Sequence, residues 1–313
     1  MERAGRAARR AAAAIAAAIG LATTAHAASL ALCERPHEPT ADQKDVLLRF
    51  GAIVKDTLAG SGHDVALVSR SGLDLHWLGA RYSHEGVALR NANNGAWPVR
   101  ELYYSCDEKK PRIYDEGLAS FLMGTDDVES GWVSIVLLPP EESDALRRAA
   151  ADKRQALGVL GATYSANAYP YSTRYQNCNQ WVMELLADAW DDQRDDSDGA
   201  DPAASRARAQ RWLYGQGYLP TTFTASTRPI LWLANVVPYL SNDDHPADEL
   251  ARNTYSVSMP SSVETFVQAK VPGATHIEIC HAGRRVVVHH GWDAMPDGCV
   301  AGPDDQVSEL TRD

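Results

Sequence analysis

The chain has 313 residues, 45% of them hydrophobic and 23% charged, which excludes a disordered or fibrous protein and leaves an ordinary globular composition. Acidic residues outnumber basic ones 41 to 30, for a formal net charge of −11, so the basic surface that phosphate backbones and anionic head groups need is missing and nucleic acid is not an expected partner. No run after residue 27 reaches the roughly 18 consecutive apolar residues of a spanning helix, and no transmembrane segment is expected in the mature chain.

Arg3, Arg6, Arg9 and Arg10 precede an alanine-rich apolar run over 11–25 and then Ala25-His26-Ala27. A basic start, a short apolar stretch and a small-x-small site make a secretory signal peptide over residues 1–27, cleaved after Ala27. Its removal takes four arginines and one glutamate, moving the net charge from −11 to −14. The expected location is periplasmic or extracellular, where cysteines pair.

Val46, Leu47, Phe50, Ile53, Val54 and Leu58 recur at helical spacing and predict a first helix over 41–59 with Gly60 as its C-cap. Four short alternating or β-branched runs follow, at 64–69, 82–90, 97–104 and 131–138, separated by Gly, Asn and Asp clusters that mark turns. Pro139-Pro140-Glu141-Glu142 opens a helix to about Leu160, with proline and acidic residues in the first turn. A loop with Tyr164, Tyr169, Tyr171 and Tyr175 leads to a helix from Asn177 to Trp190, and further helices are expected over 202–214, 229–240 and 261–269. Thr275 to His281 and Arg285 to Trp292 flank Ala282-Gly283-Arg284 as a C-terminal hairpin. The acidic stretch 191–201 reads as a solvated loop. The class is α+β, a small antiparallel sheet packed on helices.

Five cysteines remain after the signal: Cys33, Cys106, Cys178, Cys280 and Cys299. An odd number in an oxidising compartment leaves a thiol over. Cys280 and Cys299 lie close enough in sequence to close a short loop, and Cys33 with Cys106 would tie the N-terminal tail to the body. Four cysteines allow three connectivities, and this pairing leaves Cys178 free.

Cys178 stands at the first turn of an amphipathic helix, in Tyr175-Gln176-Asn177-Cys178-Asn179-Gln180-Trp181-Val182. With Asn177 as N-cap, the dipole and unpaired N–H groups favour a thiolate and could bind an oxyanion. Tyr175, Gln176 and Asn177 are candidates for the oxyanion site or a substrate lip, and the loop tyrosines either add to that lip or anchor the loop. The stripe through Val182 and Leu185 also fits a plain buried cysteine. A base is available in Arg81-Tyr82-Ser83-His84-Glu85-Gly86-Val87-Ala88-Leu89, where alternation puts His84 on one face with Gly86 and Ala88. Those small side chains leave room for a helix end to approach. In Val99-Arg100-Glu101-Leu102-Tyr103, an antiparallel neighbour, Glu101 falls on the His84 face and would orient the ring and stabilise the imidazolium.

Gly62-His63-Asp64-Val65-Ala66-Leu67, Tyr82-Ser83-His84-Glu85-Gly86-Val87, Trp97-Pro98-Val99-Arg100-Glu101 and Asn177-Cys178-Asn179-Gln180-Trp181-Val182 occur in an order that resembles the circularly permuted NlpC-type papain-like superfamily, its YiiX/YaeF-like branch most of all. The likeness covers roughly residues 62–190. It departs at Glu85, usually hydrophobic, and at Asn179, more often serine. The whole chain is also similar to an uncharacterised family of secreted bacterial proteins, a domain of unknown function. The resemblance implies a papain-like thiol hydrolase domain over 28–245, with 246–313 as a C-terminal extension containing the hairpin. It implies a cysteine hydrolase or acyltransferase with Cys178 as nucleophile, His84 as base and Glu101 as orienting group, acting on an amide or ester through an acyl-cysteine intermediate without a cofactor. A peptide, glycopeptide or acyl group of the cell envelope is the implied substrate, a cell-wall peptide first. The reading from another class is a catalytically silent envelope module of the same fold. His276, Glu278 and Cys280 share a strand face near His289-His290, but adjacent histidines point to opposite faces and Cys280 has a disulfide partner in prospect, so no metal is expected.

Overall fold

The computed structural model describes Cys33 and residues 38–91, 94–192, 201–224 and 239–311. The signal peptide, the helix expected over 229–240 up to residue 238 and most of the acidic stretch lie outside the described residues. The chain divides into residues 1–36 and 37–313, and the second unit carries the fold.

Helix α1 (Ala41–Gly60) begins at a capping box: Thr40 accepts from the Gln43 amide at 3.3 Å, while the Gln43 side chain accepts from the Thr40 amide at 2.9 Å. Val46, Phe50, Val54 and Leu58 make its buried stripe. Gly60 is the last helical residue rather than the cap. Ser61 caps, and the turn is completed by Gly62 at φ 78°, a conformation that favours glycine.

The strands are β1 (Val65–Arg70), β2 (His84–Leu89), β3 (Pro98–Ser105), β4 (Lys110–Gly117), β5 (Ser130–Leu137), β6 (Thr221–Thr224), β7 (Thr254–Val257), β8 (Thr275–Ala282), β9 (Arg285–His290) and β10 (Gln306–Glu309). All but β6 and β7, which pair with each other, form one eight-stranded sheet in the order β10-β9-β8-β5-β1-β2-β3-β4. Every neighbouring pair is antiparallel.

The sheet is large rather than small, because the C-terminal hairpin is not an appendage. Strand β8 pairs with β5 from Ser130↔Ala282 to Leu137↔Thr275 and places β9 and β10 beyond it. The Cys280–Cys299 disulfide packs beside this extension with Tyr82, Trp132 and Met295.

Period-2 alternation gives the sheet two buried faces. Ala66, Val68, Ala88, Val99, Ile135 and Ile279 face α1 and the short α2 (Leu118–Met123). Val65, Leu67, Val87, Leu102 and Val136 face α3 (Pro140–Ala151), α5 (Cys178–Trp190), α6 (Pro202–Gly215) and α8 (Pro260–Lys270). The helix expected from Pro139 to Leu160 is two helices. Asp152, at ψ 111°, leaves helical geometry and caps α4 (Lys153–Gly158) by accepting from Arg154 and Gln155 amides at 2.7 and 3.3 Å. A short α7 (Ala247–Arg252) precedes β7.

Candidate active site

Helix α5 is buried continuously from Cys178 to Asp188 and runs through the middle of the helical layer. Asn177 is its N-cap, accepting from the Gln180 amide at 2.7 Å, an arrangement worth about 1 kcal/mol. The Asn177 carbonyl takes the Trp181 amide at 3.1 Å. The cap therefore leaves the amides of Cys178 and Asn179, at the positive end of the helix dipole, as the first-turn donors it does not use.

The segment leading into this cap is fixed from beneath by a buried ion pair. Arg206 of α6 donates to Glu184 of α5 at 2.7 and 3.1 Å, and to the carbonyls of Thr173 at 2.6 Å and Tyr175 at 2.8 Å. Gln180 and Gln210 complete Glu184 at 3.1 and 2.7 Å. The Gln176 carboxamide is consumed here too. It accepts from the Gly161 amide at 2.6 Å and donates to the Val159 carbonyl and Glu184 at 2.8 and 2.6 Å. Asn177 donates to the carbonyls of Ala166 and Ser258 at 3.2 and 3.3 Å. Gln176 and Asn177 thus hold the loop, while Tyr175 is half-buried under Arg174, whose guanidinium sits 5.4 Å from its ring centroid. The other loop tyrosines make anchoring contacts: Tyr164 with Tyr104, Tyr169 with His245, and Tyr171 through its hydroxyl to the Tyr218 carbonyl at 2.5 Å.

His84 is the first residue of β2, and α5 starts at the same end of the strand. Asn179 joins them by donating to the Ser83 carbonyl at 3.3 Å. The His84 Nε2 is hydrogen-bonded to Glu101 Oε2, so the carboxylate does not engage Nδ1, and the Cys178 thiol donates to Asn179 Oδ1 at 3.5 Å. Gly86 makes the pairing with Glu101 possible. A Cβ there would meet Val99 Cγ1 at 2.5 Å and Glu101 Cβ at 3.3 Å, so the bare glycine admits β3 rather than the helix end expected from the small side chains.

Burial opposes a charge on His84, but charge interaction and hydrogen bonding with Cys178 and Glu101 outweigh it and hold the ring up to about 10. Burial likewise opposes ionisation of Glu101, yet His84, a hydrogen bond with Glu116 and the charge of Arg70 hold that carboxyl below its ordinary range. Arg70 lies directly across from His84 in the β1–β2 ladder, with its guanidinium 5.1 Å over the Phe121 ring. Arg70, Glu116, Glu184 and Arg206 are absent from the sequence reading. For Arg70 the available signal was its alternation with Ala66 and Val68, but only the cross-strand register sets it opposite His84.

Cys178 is the free cysteine and is buried. Cys280 is bonded to Cys299, and Cys33 and Cys106 are also disulfide-bonded. The residues set aside as a metal site have other partners. His276 contacts Ser134 at 2.9 Å and the Gly291 carbonyl at 2.6 Å, His289 contacts Asp305 at 2.7 Å, and Glu278 accepts from Arg81 and the Met295 amide, each at 2.7 Å. Among the described residues no group of three or more His, Cys, Asp or Glu is arranged to hold a metal ion. A groove of about 660 Å³ lined by Asp56, His276, His290 and Trp292 lies along α1, β8 and β9 and contains none of Cys178, His84 or Glu101.

A family model described as "Uncharacterized protein conserved in bacteria (DUF2145)" matches residues 57–267, more than half of the chain. The chain belongs to this family. No curated protein matches it, and neither does any solved structure. The matched span holds His84, Glu101 and Cys178 together with Arg70, Glu116, Glu184 and Arg206, and it ends before β8.

Proposed function

We propose that this chain is a thiol hydrolase or acyltransferase of papain-like type, working outside the cytoplasm. The observation that carries the reading is the line Glu101–His84–Cys178, in which the one free thiol among the five cysteines stands at a helix N-terminus beside an imidazole that a carboxylate orients. The disulfides, and the finding that no helix among the described residues is long and apolar enough to cross a membrane, are compatible with a periplasmic or extracellular setting.

In this scheme the Cys178 sulfur, its proton held on His84 Nδ1, attacks a carbonyl carbon. The oxyanion is met by the free amides of the first turn of α5, and His84 returns the proton to the departing amine or alcohol. The acyl-cysteine thioester is then cleaved by water or by a second nucleophile. Cell-wall peptides are the first substrates to screen, with acyl lipids next.

A second reading, a catalytically silent binding module of the same family, is favoured by one observation: Cys178 and His84 are only 7% and 9% exposed. The deciding experiment is alkylation of the folded protein across pH, with peptide mapping. The thiol-enzyme reading expects Cys178 to be labelled in mildly acidic solution, where an ordinary thiol of pKa ~8.5 is almost wholly protonated, and that labelling to vanish in His84→Ala. A Cys178 inert under folded conditions moves the assignment to the binding module.

A further inference from the structure

The segment beyond the family match reaches back to the strand that carries His84. Glu278 of β8 ends a buried polar row across the sheet, with Glu85 opposite Ser69, Ser69 opposite Ser134, and Ser134 opposite Glu278. Its carboxylate takes donors at both oxygens. Oε1 accepts from Arg81 Nη1 at 2.7 Å and from the Tyr82 hydroxyl, and Oε2 accepts from the Met295 amide at 2.7 Å. Arg81 Nη2 donates to the Met295 carbonyl and to Asp297, each at 2.8 Å, and the guanidinium sits 4.0 Å from the Trp132 ring centroid. Glu278, Met295 and Asp297 all lie beyond residue 267, where the match stops.

Arg81 and Tyr82 lead directly into Ser83 and His84. Ser83 is pinned as well: its hydroxyl accepts from the Gly72 and Leu73 amides at 3.0 and 2.9 Å, and its amide donates to the Arg70 carbonyl at 3.1 Å. His84 stands on the last rung of the β1–β2 ladder, so the way the chain enters this rung sets where the imidazole points. The Cys280–Cys299 disulfide closes the loop that carries Met295 and Asp297, and it packs in one cluster with Tyr82, Trp132 and Met295. Burial first, and then the charge of Glu278, holds the Tyr82 hydroxyl well above its ordinary range, so it stays a donor. A buried ion pair contributes little net stability over an apolar replacement, but charge-assisted bonds of this kind fix one geometry.

We infer that Glu278 is a positioning residue for His84, acting through Arg81 and Tyr82, so that the segment beyond the family match completes the thiol site. The inference rests on the thiol-enzyme reading.

Two readouts test it in the full-length folded protein: iodoacetamide alkylation of Cys178 at neutral pH, and the NMR signal of the His84 Cε1–H, assigned by its loss in His84→Ala. Glu278→Gln keeps the shape but removes the charge that gathers these donors. It should slow labelling by about 10- to 100-fold, the scale of a small misplacement at a reacting site, and shift the His84 signal. Tyr82→Phe keeps the ring in its cluster and cuts one bond. It should move both readouts the same way by less, and keeps the test open if the glutamine variant does not fold. Val286→Ala thins the same hairpin on the other face of the sheet, and should lower the melting temperature while leaving both readouts at wild type. Unchanged labelling and an unmoved signal in Glu278→Gln and Tyr82→Phe, or equal slowing in Val286→Ala, overturn the positioning role and leave the Cys178–His84 pair standing. Absence of any Cys178 labelling in the folded wild-type protein overturns the thiol reading and the positioning role with it.

Discussion

Glu101 and Glu85 are both buried carboxyl groups beside His84, at 2% and 0% exposure, yet their surroundings push them in opposite directions. Glu101 lies on the face of α1 and α2, bonded to His84 and Glu116 and close to Arg70. Glu85 lies on the other face with no bonded partner among the described residues. The difference teaches that depth alone does not set the charge of a buried acid; the number of donors and cations within reach does. Glu184 extends the comparison, being as buried as Glu85 and saturated by Arg206 and three glutamines.

The most severe way to break the comparison is to remove the cation that Glu101 holds. His84→Ala should slow alkylation of Cys178 near neutral pH by about 100-fold or more, the usual contribution of a positioned base, and a variant labelled at the wild-type rate would refute the dyad. Wild type should also lose stability as pH rises from the ~6.5 of a free histidine toward the raised value of about 10, since the folded state holds a proton that the unfolded state gives up. That slope should flatten in His84→Ala, as read from thermal melts across pH.

Arg206→Met should cost about 3–5 kcal/mol by leaving Glu184 charged and uncompensated. Pairing it with Glu184→Gln should restore most of that stability in chemical denaturation. Labelling of Cys178 should remain slow in the double variant, because the carbonyls of Thr173 and Tyr175 lose the guanidinium that holds them.

Glu101→Gln keeps the shape and removes the charge. Alkylation at neutral pH should fall roughly tenfold, a difference of about 1.4 kcal/mol. The stability that Glu101 contributes is present above the ~4.3 of an unfolded glutamate and lost as pH falls, so wild type and Glu101→Gln should converge in acid. The gentlest change runs the other way: Glu85→Gln should stabilise the protein by a margin that grows as pH rises above the ~4.3 of an unfolded glutamate, because the folded wild-type chain keeps a proton on Glu85 that the unfolded chain releases, as read from thermal melts across pH.

Much of this arrangement was legible in the residues. The helical spacing of Val46 to Leu58, the alternation through Tyr82 to Arg90 and the Asn177-Cys178 helix start are local signals, and each marks an element within a residue or two of its observed bounds. Antiparallel pairing of the next strand also placed Glu101 on the His84 face. Strand β4 was missed because Lys110-Pro111-Arg112-Ile113-Tyr114-Asp115-Glu116 hardly alternates; it is an edge strand with half its side chains in solvent. The polar row and the Arg206 hub could not be read, since register and helix packing depend on residues far apart in the chain. Glu85 stood out in the sequence only as a departure from a pattern.

The eight-stranded sheet also bears on where the chain can be cut. The family match ends at residue 267, while β8, the strand that covers β5, begins at Thr275. A chain shortened to the matched span would lose β8, β9 and β10 together and expose the hydrogen-bonding edge of Gly131-Trp132-Val133-Ser134-Ile135-Val136-Leu137. Such a long, apolar and unpaired edge is a template for joining copies of itself. Recombinant production should therefore carry the chain through Glu309, and insolubility of shorter versions would report an uncovered strand rather than an unstable domain.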